Sequence, residues 1–156
     1  MFREMLRIKQ KLSDSECIEI LKNEPRGVLS VIGDEDYPYA MPMNYFYDEN
    51  SNKIYFHCGK RGHRMDSVKK HDKVSFCVYD KGYRKEGDWA LNIKSVIIFG
   101  RIRVVEDWPL ELMWAMSRKY TNDDKYIENE IQKFAKNTAV LELEIEHMSG
   151  KLVNES

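Results

Sequence analysis

A turn rich in cations lies near the middle of the chain and is the clearest candidate for binding chemistry. In the segment FHCGKRGHRMD (56–66), a strand-like run ends and a helix-like run begins near His63 or Arg64. Two glycines in this turn, Gly59 and Gly62, can take backbone angles that other residues avoid. A helix N-terminus carries free N–H groups and partial positive charge, so cations there repel it unless an anion such as phosphate is bound. The cations are Lys60, Arg61, His63 and Arg64.

Each of these residues also has a plainer interpretation. The turn fits an exposed basic loop, and Gly59-x-x-Gly62 is not a Walker phosphate-binding loop. His57, at the end of the strand-like run, is either a hydrogen-bonded structural residue or a group that transfers protons near neutral pH. No second histidine stands at metal-ligand spacing from it, so we predict no metal site.

The segment Tyr37–Asp48 (YPYAMPMNYFYD) reads as an aromatic-rich strand that contains two prolines. Pro38 and Pro42 are four residues apart, so both missing N–H groups lie on the same edge of the strand. That edge is predicted to be unpaired near Pro42, and the next N–H on it belongs to Asn44. An edge with a gap, a free donor and flat rings beside it suits a planar ligand.

The surrounding elements predict a barrel of antiparallel strands with peripheral helices. Ser13 and Glu16 form a capping box that begins the first helix, and Gly100 predicts a bulge or a bend in a long strand. Met113 and Met116, in the third helix, either pack against the barrel or roof a site. The other expected strands span 27–32, 53–58, 73–79, 93–105 and 138–145, and the other helices 64–70, 109–120 and 123–136.

Composition limits the class of protein. A length of 156 residues predicts one domain, 1–156, and 25 basic against 26 acidic residues leave a net charge of −1. That balance gives no argument for binding nucleic acid or membrane surfaces. No apolar run approaches the roughly 20 residues that span a bilayer, and the N-terminus does not read as a secretory signal. Cys17, Cys58 and Cys77 are scattered, which favours a reducing cytoplasm.

These motifs, in this order, resemble the FMN-binding split-barrel superfamily related to pyridoxamine 5′-phosphate oxidase. The similarity is greatest to the branch of 5-nitroimidazole resistance (Nim-type) proteins and covers nearly the whole chain. It is carried by residues 33–45 (GDEDYPYAMPMNY), 54–57 (IYFH) with 62–64 (GHR), 95–102 (SVIIFGRI) and 145–151 (IEHMSGK).

The resemblance implies a six-stranded antiparallel split β-barrel that forms a homodimer with two FMN molecules at the subunit interface. By similarity, Pro42, Met43, Asn44 and Tyr45 would lie along the isoalloxazine ring, with His57 and Cys58 near the flavin. The phosphate would be held by His63 and Arg64, together with Lys60 or Arg61. Ser95 and Val96 would complete the pocket.

The function implied is that of an FMN-dependent oxidoreductase, with a nitroaromatic compound as the substrate. His57 is the candidate for substrate contact or proton donation. NAD(P)H or a reductase would supply electrons, although the chain shows no Rossmann-type nicotinamide motif. The ending GKLVNES lacks the Arg-x-His-type ending of the oxidase proper, which argues against pyridoxamine phosphate as substrate. Two alternatives stay open: a flavin- or haem-binding module without robust turnover, and an interaction domain with a vestigial pocket.

Overall fold

Seven antiparallel strands form a single curled sheet in the computed structural model, which describes residues 1–156. The spatial order is β2-β1-β5-β6-β7-β4-β3. Because β2 and β3 follow each other in the chain yet lie at opposite edges, the sheet must curl until its edges approach. The strands are β1 (Arg26–Ile32), β2 (Pro38–Asn44), β3 (Phe46–Asp48), β4 (Lys53–Gly59), β5 (Lys73–Tyr79), β6 (Asn92–Val105) and β7 (Thr138–Asn154).

Four α-helices lie at the periphery, where the sequence predicted helices. The capping box is confirmed: the Ser13 hydroxyl accepts the Glu16 N–H at 3.3 Å, and the Glu16 carboxylate accepts the Ser13 N–H at 3.0 Å. None of the helices combines the length and the apolarity needed to cross a bilayer. The helices are α1 (Asp14–Asn23), α2 (His63–Lys70), α3 (Leu110–Arg118) and α4 (Asp124–Phe134).

The expected count of six strands is corrected to seven. The segment Tyr37–Asp48 divides at Tyr45, so that β2 pairs with β1 and β3 pairs with β4. The final strand is also longer than predicted, since β7 continues past Ile145 to Asn154 and pairs with β6 over the whole length of β6. The irregularity predicted at Gly100 is found in the ladder, but the extra residue lies in the partner strand: Phe99 and Gly100 pair with His147 and Ile145, which leaves Glu146 of β7 unpaired. A side chain at Gly100 would meet the Glu144 carbonyl at 2.1 Å.

The core fills the inside of the curled sheet with large apolar side chains. Phe76 lies at its centre, edge-on to the rings of Tyr45 and Phe56 at centroid distances of 5.0 and 5.1 Å. Gly27 makes room for Phe76, because a Cβ there would lie 2.3 Å from the phenyl ring. Burying each such side chain contributes about 1.5–3 kcal/mol. The fully buried members include Leu29, Ile54, Ile98, Leu141 and Leu143.

A buried carboxylate, Glu142, joins three strands. It accepts hydrogen bonds from Lys53 Nζ at 3.0 Å, Tyr55 Oη at 3.2 Å and Arg103 Nε at 2.9 Å. Its side chain is only 8% exposed. Burial opposes ionisation of this carboxyl, but the hydrogen bonds from Lys53 and Arg103 outweigh it and hold its pKa below the ordinary value of 4.5.

We expect Glu142→Gln to lower the free energy of unfolding by about 1.5–3 kcal/mol at pH 7, because two cations lose their charged partner. A carboxyl with a depressed pKa stabilises the fold above its unfolded pKa and loses that effect as pH falls through its folded pKa. The difference in stability between wild type and variant should therefore shrink as pH falls below 4.5 in urea titrations. Glu144→Gln, an exposed position two residues along β7 with no ion pair, is the matched control; an equal loss there would contradict the assignment.

Candidate functional site

The outer edge of β2 has no strand partner, as the two prolines predicted. The Gly33 N–H donates to the Tyr37 carbonyl at 2.8 Å, so the facing pair Gly33–Tyr37 is a hydrogen-bonded one. Such pairs recur at every second residue, which makes residues 39, 41 and 43 the ones that exchange hydrogen bonds with β1. The N–H groups of the alternate residues therefore point away from β1. Pro38 and Pro42 have none to present, and Asn44 directs its N–H to the open edge.

A gap opens between β2 and β4 where the ladder of β3 stops. The β3–β4 register pairs Phe46 with Tyr55, and its continuation would set Asn44 opposite His57. The pairing ends before that point, and a cavity of about 600 Å³ lies there. Asn44, His57, Cys58 and Arg64 line its barrel side, while α3 and α4 close the other side. The volume is within the range of small-molecule sites.

A second, smaller cavity of about 130 Å³ adjoins the first at the start of α2. Cys58, Gly59 and Arg64 line both cavities. No side chain caps α2, and Gly62 precedes it with φ of 114°, a conformation that favours glycine. The first N–H groups of the helix are thus open to an anion. Only Gly62 of the two predicted glycines takes such an angle.

Arg64 is a half-buried cation with no acidic partner. Its Nε lies 3.1 Å from the Met41 sulfur, and the guanidinium forms no ion pair with any carboxylate. A partly desolvated guanidinium without a counter-ion is costly unless an anion binds it. The wall between the two cavities therefore offers a built-in anion position.

His63 contacts the turn between β1 and β2. Its Nε2 accepts the Asp34 N–H at 3.1 Å, and its ring stacks on Tyr39 with centroids 4.3 Å apart. The ring lies close to the β1–β2 turn, since a Cβ on Gly33 would be 2.9 Å from Nε2. His63 lines the small cavity, but this nitrogen is already engaged, which leaves Nδ1 and the backbone N–H for a ligand.

His57 and Cys58 face the large cavity in neutral forms. Surrounding protein atoms lower the pKa of His57 from its ordinary 6.5 by desolvation, and the charge of Arg64 lowers it further. The ring keeps accessible surface because it faces the cavity. Desolvation also raises the pKa of the Cys58 thiol, although Arg64 opposes that shift. At neutral pH the site thus holds an uncharged imidazole, an uncharged thiol and one cation.

The remaining predicted site residues do not all line the two cavities with their side chains. Met43 and Tyr45 point into the core, so only their backbone can face a ligand, while Pro42 is exposed. Lys60 Nζ donates to the Lys136 carbonyl, and Arg61 lines the small cavity. Ser95 and Val96 lie on β6 between β5 and β7, with Val96 fully buried, and they line neither cavity.

The contribution of α4 to the cavity wall was not predicted from the sequence, and for α3 a position over a site was one of two interpretations. Met113 and Met116 are buried and line the cavity, so both interpretations of this helix apply. Tyr126 and Phe134 of α4 also line it and stay about half exposed. Tyr120, between the two helices, reaches the backbone at Tyr45. The one signal was the amphipathic pattern of both helices, which does not say what they cover.

A family model described as "Pyridoxamine 5'-phosphate oxidase" matches residues 13–152 of the chain. No curated protein sequence matches it.

Solved structures share the fold at low sequence identity. One is a candidate 5-nitroimidazole antibiotic resistance protein from Bacteroides thetaiotaomicron (20% identity, 92% of this chain and 87% of that one, TM-score 0.72). A second is an FAD-binding protein from Mesorhizobium loti (22%, 92% and 95%, TM-score 0.68). A third is an FAD- and haem-binding protein from Mycobacterium smegmatis (16%, 95% and 74%, TM-score 0.70). At identities this low, the structural match shows a shared fold alone.

We expect Arg64→Gln to raise the pKa of His57, because one of the two causes that lower it is the Arg64 charge. Desolvation remains, so the pKa should stay below 6.5. Chemical shifts of the imidazole, followed by NMR from pH 4 to 8, measure the change. Arg61→Gln removes an exposed cation of the same turn and should leave His57 unaltered; equal shifts in both variants would contradict the proposed proximity.

Proposed function

Because the chain belongs to the pyridoxamine 5′-phosphate oxidase family, we propose that it is an FMN-dependent oxidoreductase. The observation that carries the proposal is Arg64, an unpaired guanidinium in the wall between a small cavity at a helix start and a large cavity at a strand gap. A ligand with a compact anion joined to a wide planar group fits those two spaces. FMN is such a ligand, and bound there it would supply hydride or electron transfer.

The residues of the small cavity would hold the phosphate. Arg64 would donate charge-assisted hydrogen bonds, and the first N–H groups of α2 would add oriented dipoles. Arg61 lies close enough to contribute, while Lys60 would have to leave the Lys136 carbonyl. No carboxylate lines this cavity to compete for these donors.

The gap between β2 and β4 would hold the planar ring. Asn44 presents an unpaired backbone N–H there, a fixed donor suited to stabilising negative charge on a ligand. His57, on the opposite strand, is uncharged at pH 7 and can donate or accept a hydrogen bond at the cavity surface. We assign to it contact with the substrate or delivery of a proton.

The substrate would enter from the side of α3 and α4. Their contribution to the wall is mainly apolar and aromatic, and Glu130 is the single carboxylate among the lining residues. Such a wall favours a flat, weakly polar compound over an anionic one. A nitroaromatic of the 5-nitroimidazole type meets that description, and NAD(P)H or a reductase would provide the electrons. Three free thiols accord with a reducing cytoplasm as the place of work.

A homodimer with FMN at the interface is part of the proposal. Large apolar side chains stand exposed on the outer face of neighbouring strands: Tyr79 on β5, and Ile97 and Phe99 on β6. Contiguous apolar surface of this kind commonly marks a protein interface. Ser95, on the same strand as Ile97, would then meet the flavin bound mainly by the other subunit.

A flavin- or haem-binding module without robust turnover is the second candidate. The uncharged imidazole of His57 in a large cavity is the form that ligates haem iron. The absorbance spectrum of freshly purified protein separates the cofactors, because flavin and haem bands differ plainly. Anaerobic reduction followed by addition of a nitroimidazole separates enzyme from binder, since a binder would not be reoxidised.

We expect Arg64→Ala to weaken FMN binding by roughly ten- to over a hundred-fold, as the loss of a charge-assisted contact costs about 1.5–3 kcal/mol. Riboflavin, which lacks the phosphate, should bind the variant and the wild type almost equally. Fluorescence quenching titrations measure both constants. Lys70→Ala, at the other end of α2, is the control. Unchanged FMN affinity in Arg64→Ala would rule out the phosphate position.

We expect Ile97→Glu to shift the protein from dimer to monomer in analytical ultracentrifugation, because the charge would be buried in the proposed interface. FMN affinity should fall with it. Leu110→Glu, which alters an apolar residue on α3 that is 53% exposed against 42% for Ile97, should leave the association state unchanged. A wild-type protein that sediments as a monomer would refute the dimer and leave the phosphate position untouched.

A further inference from the structure

We infer that Tyr120 is a positioning residue for the flavin-ring gap, through a hydroxyl that takes the place of a strand partner at Tyr45. The inference rests on the proposed function for its ligand, while its geometry stands on the chain alone. Tyr120 follows α3, far from Tyr45 in sequence, and it also lines the large cavity.

The Tyr120 hydroxyl lies among three backbone groups. It accepts the Tyr45 N–H at 3.0 Å, and its oxygen is 2.9 Å from the Tyr45 carbonyl and 2.7 Å from the Pro25 carbonyl. A hydroxyl has one proton and two lone pairs, so it can satisfy one donor and donate to one of the two carbonyls. The contacts join the turn after α3 to the residue that follows β2 and to the residue that precedes β1.

The register explains why a hydroxyl is needed there. The β1–β2 ladder pairs Arg26 with Asn44, and its next position would pair Pro25 with Tyr45. That position is a hydrogen-bonded one, but Pro25 has no N–H to donate to the Tyr45 carbonyl. Tyr120 supplies both a donor and an acceptor in its place. The ladder stops, and the chain is free to continue as β3 toward β4.

A second contact from the same turn supports this arrangement. Lys119 Nζ lies 3.5 Å from the centre of the Tyr45 ring, which itself is buried against Phe76. Tyr120 thus contacts the backbone of Tyr45, and Lys119 contacts its ring. Since Asn44 is the adjacent residue and its N–H faces the gap, the hold on Tyr45 fixes where that N–H points.

The test compares Tyr120→Phe with Tyr83→Phe. The two tyrosines are similarly exposed, at 41% and 47%, but Tyr83 lines neither cavity, and its hydroxyl makes no hydrogen bond within the chain. We expect Tyr120→Phe to lower the affinities for FMN and for riboflavin by the same factor, about tenfold. The substitution alters the gap between β2 and β4 that would hold the ring, and it leaves unchanged the small cavity that would hold the phosphate. The absorption spectrum of flavin bound at saturation should also shift. Tyr83→Phe should leave affinities and spectrum near those of wild type.

Hydrogen exchange on the ligand-free protein tests the geometry independently. The Tyr45 amide should exchange faster in Tyr120→Phe than in wild type, while amides in the middle of β6 keep their protection. A wild-type protein that binds neither flavin would sink the proposed function, yet this measurement would still decide the role of the hydroxyl.

A second variant guards against simple loss of folding. Pro25→Ala supplies the N–H that the ladder lacks, so β1 and β2 can pair at Tyr45 without Tyr120. We expect weaker binding of both flavins with a melting temperature no lower than that of wild type, which a merely destabilising change would not produce. Wild-type flavin affinity and spectrum in both Tyr120→Phe and Pro25→Ala would overturn the inference.

Discussion

The hydrogen bonds of the Tyr120 hydroxyl at the Pro25–Tyr45 position are the constraint on which the rest of the site depends. The segment from Pro38 to Asp48 forms both edges of the sheet, as β2 and as β3. It can do so only if the pairing of β2 with β1 stops before β3 begins. Proline at position 25 removes one donor, and the Tyr120 hydroxyl accepts the Tyr45 N–H and donates to one of the two carbonyls beside it. An unpaired amide and carbonyl would otherwise be costly at this half-buried position.

Two consequences follow from that single break. The chain stops pairing with β1 and begins to pair with β4. This change of partner brings the edges of the curled sheet near each other without joining them. The same break leaves Asn44 and His57 on facing strands with no ladder between them, and the cavity occupies that space. The small cavity at the start of α2 then follows β4 closely in the chain, because Gly59 ends the strand and Gly62, three residues later, turns the chain into α2.

Much of the fold was readable from local patterns, and much of the site was not. Proline spacing predicted the free edge of β2, the capping box predicted the start of α1, and Gly100 predicted the irregularity in the β6–β7 ladder. The division of one strand into two was missed because Tyr45 looks like any strand residue; its partner is a hydroxyl 75 positions away. The length of β7 was missed because its second half pairs beyond a bulge that resets the inside-outside alternation.

The sequence by itself determined the chemical groups and their local frames: a cationic helix start, a proline-marked strand edge, and a histidine at a strand end. These depend on residues close together in the chain, where backbone geometry leaves few choices. Only the tertiary structure decided which groups act together. It set Arg64 without a carboxylate partner, engaged His63 at the β1–β2 turn, and brought α3 and α4 over the gap. Those outcomes depend on long-range packing, which local patterns do not encode.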